Sequence, residues 1–146
     1  MMKHIYTLAT VLAACFCACN KADNTPRHSL QLHTDSYPQD VAIENIEAVW
    51  NNQTGNLNLY ADGTEHQILK MNINTLQTTR NTVPSIADVY YAEDDGFAAD
   101  SVTSGEISIT AADDAHAEGT LHATFANQAR TDTKTISAHF IIYRQL

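Results

Sequence analysis

Apolar side chains recur at every second position over most of the chain. Leu57 and Leu59 share one side of Asn56–Tyr60, and Leu69, Met71 and Ile73 share one side of Glu65–Asn74. Ile86–Tyr91 is a further candidate. The last third is the most regular: Ile107 and Ile109 within Gly105–Ala111, Leu121, Ala123 and Phe125 within Thr120–Ala126, and Ile136, Ala138, Phe140 and Ile142 within Ile136–Tyr143. A period of two predicts strands with one buried face and one solvated face. Asn51–Gly55, Ala61-Asp62-Gly63, Glu93-Asp94-Asp95-Gly96 and Asp113-Asp114 separate the runs as turns. Thr78–Ser85 is polar, and Pro84 argues against a central strand there. No long amphipathic helix interrupts the pattern, which argues against a βαβ architecture. The expected class is all-β, an antiparallel β-sandwich or a calycin-like barrel.

Val41–Trp50 breaks the alternation. Val41 and Ile43 have one parity, and Ile46, Ala48 and Trp50 the other. A strand with a bulge near Asn45 reconciles them; a short helix capped by Asp40 is the rival. Asn20–Gln39 is polar, with Pro26 and Pro38, and reads as a tether. Leu30 and Leu32 within it could form a short first strand. The expected organisation is a signal over residues 1–14, an anchor and tether over 15–40, and a single domain over 41–146.

The N-terminus supplies the compartment. Lys3 precedes an apolar run, Ile5–Ala14, that is too short to span a bilayer and fits a secretory signal. Leu12-Ala13-Ala14-Cys15 closes it in the manner of a bacterial lipoprotein signal, whose cysteine thiol takes a diacylglycerol. Cys15 is the expected lipidation site. Cys19 is the alternative, with a signal over residues 1–18, because Ala18 precedes it and Asn20-Lys21-Ala22-Asp23 follows. No cysteine occurs after Cys19, so the domain has no disulfide and no thiol nucleophile.

Charge narrows the partners. The chain carries a formal charge of −9. Loss of Lys3 with the signal leaves 7 basic against 17 acidic residues, or −10. Nine acidic residues and no basic one lie between Arg80 and Arg130. Such a surface repels nucleic acid and anionic headgroups.

Gly105-Glu106-Ile107-Ser108-Ile109-Thr110, an Asp-containing turn, Glu118-Gly119-Thr120-Leu121 through Phe125 and a terminal strand together resemble small Bacteroides-type lipoproteins. The likeness covers the last 40 or so residues and the anchor. It implies residence at the surface or in the periplasm, attachment to the outer membrane and an all-β domain. It carries over no catalytic residue, because the pattern has none assigned.

Candidate chemistry is sparse. Pairing Leu121 with Phe140, Ala123 with Ala138 and Phe125 with Ile136 places His122 opposite His139 on the outer face. Directly opposed Cβ atoms lie about 4.5–5.5 Å apart, close enough for two imidazoles to share a metal, with Glu106 as a conceivable third ligand. Two solvated histidines are the simpler reading, and no metal or other cofactor is expected. Asp113-Asp114-Ala115-His116-Ala117-Glu118 and Glu93–Gly96 read as hairpin turns rather than cation loops. Ser101, Ser104 and Ser108 near His122 do not form a nucleophile motif. Trp50, Tyr60, Tyr90 and Tyr91 could line a ligand mouth, but strand propensity explains them first. The expected function is a non-enzymatic, lipid-anchored envelope protein that binds a protein partner or joins an assembly. A barrel binding a sugar or lipid and an envelope hydrolase are the alternatives.

Overall fold

The computed structural model describes residues 25–51, 54–63, 67–74, 79–82, 87–99 and 101–144. Among the described residues eleven strands follow in order: β1 (Ser29–Thr34), β2 (Val41–Ile43), β3 (Asn45–Asn51), β4 (Asn56–Asp62), β5 (Ile68–Ile73), β6 (Thr79–Thr82), β7 (Ala87–Ala92), β8 (Ala98–Ala99), β9 (Ser101–Ala112), β10 (His116–Ala126) and β11 (Thr133–Tyr143). They form two antiparallel sheets. Sheet A runs β2-β1-β11-β10-β9-β6 and sheet B runs β3-β4-β5-β7-β8. The sheets do not close on each other, so the architecture is a sandwich and the calycin-like barrel is set aside.

The alternation drives this arrangement. The expected inward sets are buried, including Leu57, Leu59, Leu69, Met71, Ile107, Leu121, Phe125, Phe140 and Ile142. They meet between the sheets in one cluster, where Tyr91 packs its ring 5.7 Å from Phe125 and 6.3 Å from Phe97. Each large apolar side chain so buried contributes about 1.5–3 kcal/mol.

Three expectations are corrected. The domain begins at Ser29, not Val41: β1 pairs with β11 on one side and β2 on the other, with Leu30 and Leu32 buried. The polar stretch therefore contains an inner strand, because Leu30, Leu32 and Thr34 supply one inward face. The parity change in Val41–Trp50 is a change of sheet, not a bulge or a helix. Val41–Ile43 belongs to sheet A, and after Glu44 the chain enters sheet B as β3. Ile43 and Ile46 then face the same interior from opposite layers.

The third correction concerns register. Leu121 lies opposite Ala138, and Phe140 lies opposite Gly119. The displacement of two residues keeps every side chain on its expected face. Its physical reason is space: a Cβ on Gly119 would sit 2.7 Å from Phe140 Cζ and 2.7 Å from the Ser108 carbonyl oxygen. The ring occupies the room that the missing side chain leaves, next to a break in the β9–β10 register at Glu118/Gly119. Gly119→Ala is expected to lower stability by about 1–3 kcal/mol, because backbone on one side and a packed ring on the other cannot yield. Urea unfolding of the two proteins measures it.

Candidate functional site

The outer face of sheet A carries the histidines. His122 lies opposite Ser137 and His139 opposite Thr120, so the expected direct pairing of His122 with His139 does not form. The two stand diagonally across β10 and β11. His33 on β1 joins them, because it too lies opposite Ser137. Together with Gln31, Asp40 and Thr120 they line an open groove of about 270 Å³.

Each imidazole has a different neighbour. His122 Nδ1 is 2.8 Å from Ser137 Oγ, His139 Nε2 is 3.1 Å from Glu118 Oε1, and His33 Nδ1 is 3.0 Å from Asp40 Oδ1. Glu106 lies opposite His122 on β9. Among the described residues no three His, Cys, Asp or Glu side chains converge on a point where a metal could sit. Of the serines considered with His122, Ser104 lies opposite Thr124, Ser108 opposite Thr120 and Ser101 opposite Ala126, so none is its direct partner.

The acidic turns are hairpin devices. Asp113 Oδ1 accepts from the amides of Ala115 (2.7 Å) and His116 (2.9 Å). Those bonds, first that of His116, hold its carboxyl below the usual carboxylate range. In Glu93–Gly96 the Gly96 amide donates to the Glu93 carbonyl, and Gly96 adopts φ 88°, which glycine reaches without strain.

The strongest electrostatic feature lies at that second turn and was not foreseen. Lys134 Nζ donates to Ser36 Oγ (2.6 Å), Asp95 Oδ2 (2.7 Å) and Glu93 Oε2 (2.8 Å). Glu93 also accepts from Ser36 Oγ (2.7 Å), Thr34 Oγ1 (2.9 Å) and the Tyr91 hydroxyl. All three ammonium hydrogens and all four carboxylate lone-pair positions are thereby used. The Glu93 side chain is 1% exposed and that of Lys134 13%.

Burial alone would raise the Glu93 carboxyl, but the bonds from Lys134, Tyr91, Ser36 and Thr34 outweigh it and hold it below the ordinary range. Lys134 likewise loses solvation, yet Asp95 and Glu93 push its ammonium pKa up. The Tyr91 hydroxyl is pushed up by burial and by Glu93. Thr34 and Lys134 are in sheet A and Ser36 follows β1, while Tyr91 is in sheet B and Glu93 and Asp95 lie in the turn between β7 and β8. The network pins one end of the sandwich. Its only sequence signal was the acidic turn itself, since nothing local ties residue 93 to residue 134.

The aromatic residues divide by face. Tyr91 is core, whereas Tyr60 and Tyr90 stand on the outer face of sheet B on either side of Lys70, whose Nζ lies 5.5 and 5.2 Å from their rings. Asn58, Asn72, Glu47 and Val49 border the same shallow groove. Trp50 is half-buried at the sheet edge, away from that row. The four do not line one mouth. Between the sheets, Leu121, Phe125, Phe140 and Ile142 share a filled cluster with Leu69 and Met71, so the volume an internal ligand would need is occupied by side chains.

No protein-family model, no curated protein and no solved structure matches this chain.

Lys134→Met is expected to cost about 3–5 kcal/mol at neutral pH, because it leaves the Glu93 carboxylate buried without its counter-charge. The wild-type protein should behave oppositely towards acid. With the Glu93 carboxyl depressed below its ordinary 4.5, the stability it contributes is present above pH 4.5 and is lost as pH falls through the depressed value. In Lys134→Met the deficit should shrink on acidification, since a protonated Glu93 needs no partner. Urea midpoints of both proteins across pH 3–7 measure this.

Proposed function

We propose that the protein is a lipid-anchored component of a bacterial envelope whose β-sandwich serves binding or assembly. The observation that carries the reading is the leader: an apolar run of signal length ending in Leu12-Ala13-Ala14-Cys15. A cysteine bearing two or three acyl chains holds firmly to a bilayer, at about 0.8 kcal/mol per buried methylene.

The fold supports it from the other side. The first strand starts at Ser29, fourteen residues beyond Cys15, which allows a reach of at most about 50 Å. Ser29 pairs with Ile141, and His116 with Tyr143. The anchor therefore joins the end of the sandwich that carries the Asp113–His116 hairpin. The Lys134 network and the Glu93–Gly96 turn lie at the far end. The outer faces carry open grooves, lined by histidines on sheet A and by Tyr60, Lys70 and Val49 on sheet B, which suits contact with a partner. The filled interior favours surface contact over capture of a ligand between the sheets.

Metabolic labelling with a palmitate analogue tests the anchor. Label is expected on the wild-type chain and on Cys19→Ser, and not on Cys15→Ser. Label that disappears with Cys19→Ser alone would move the site to Cys19. A wild-type chain without label would remove the reading.

A further inference from the structure

We infer that β3 is a dimerisation strand and that its partner is β3 of a second copy of this chain. The inference starts from the four sheet edges. Three are blunt: β2 has three residues, β6 four and β8 two. The fourth, β3, has seven, paired to β4 without a register break, and among the described residues no strand lies on its other side. Natural edges are protected by shortness, lysine, proline or a bulge. In β3 none of these occurs, and Glu47 is its only charge.

The side chains at this edge are under-covered on both faces. Ile46, Ala48 and Trp50 point inward and pack on the core, yet each is only half-buried. Val49 on the outer face is 67% exposed, the one large hydrophobic among the described residues that is so open. A long edge with apolar groups uncovered on both faces is a template for strand addition.

The sequence of β3 selects the occupant. Antiparallel pairing of two identical strands must set inward residues opposite inward ones. Centring on Glu47 would oppose two carboxylates, and centring on Val49 would leave Asn45 and Ile46 unmatched. Centring on Ala48 uses the whole strand. Ile46 of one copy then faces Trp50 of the other, and each Glu47 faces the other copy's Val49, so no like charges meet. The residues at the two ends, Asn45 and Asn51, also fall opposite each other. The two five-stranded B sheets become one continuous layer, and the inward pair extends the apolar interior across the junction.

The twofold axis is perpendicular to that layer, so the two tethers leave toward opposite ends. Their reach of about 50 Å lets both meet one bilayer when the sheets lie flat on it. The inference deepens the assembly reading above and depends on it only for biological role. Acylation and self-association are read by separate experiments, so either can fail alone.

Sedimentation of the full chain, purified in excess detergent, tests it. The wild type is expected to be dimeric. Val49→Glu creates two like-charge cross-strand pairs per dimer and should weaken association about tenfold. Val49→Lys, which faces Glu47 of the other copy, should not weaken it. Glu47→Lys added to Val49→Glu should restore it. Position 49 is exposed, so each variant should keep the wild-type far-ultraviolet circular dichroism, which is measured in parallel. A monomeric wild type overturns the inference, as does a dimer that treats Val49→Glu and Val49→Lys alike. A wild type that stays monomeric until it captures a strand from another protein also overturns it.

Discussion

The apolar layer that Tyr91, Phe125 and Phe140 fill between the two sheets is the interaction on which this structure depends. With no cysteine after Cys19, no disulfide ties one sheet to the other. The sheets stay together because each presents a row of alternate apolar side chains and neither can bury that row alone. The Lys134 network adds direction to this non-directional force. It closes one end of the sandwich with a carboxylate and an ammonium whose hydrogen-bonding positions are all filled. A network left partly satisfied there would be worse than an apolar plug. Thr34, Ser36 and Tyr91 are therefore as much a part of it as the charges are.

The fold was legible wherever burial has a local period. The strands around Leu57, Leu69, Ile107, Leu121 and Phe140 were evident because one face is dry and the next residue is wet. Two features escaped because their causes are not local. The parity change between Ile43 and Ile46 looks the same in sequence whether the chain bulges or crosses between layers; only the presence of a second sheet decides it. The β10–β11 register depended on Gly119, whose missing side chain admits Phe140. Matching large residues with large ones missed a small residue matched to a ring.

The same contrast governs the site chemistry. Face assignment survived the register displacement, so His122 and His139 do share the outer surface of sheet A. Their direct pairing did not survive, because a displacement of two residues changes partners while preserving sides. The Glu93–Lys134 contact could not have been read at all. It joins positions brought together only when two sheets stack, and the acidic turn that half-announces it resembles any solvated hairpin.

The way the chain enters sheet A has a mechanical consequence. β1 enters at Ser29 and lies between β2 and β11, antiparallel to both. A pull transmitted through residue 28 acts along the axis of this inner strand. The ladders on both sides then carry the load together, in shear, instead of opening rung by rung like a zip. The far end of β1 terminates at Thr34, whose hydroxyl donates to Glu93 on the other layer. Tension entering at residue 28 would thus be resisted along both ladders of β1 and again at its Thr34 end, so the sandwich would hold its shape under such a load.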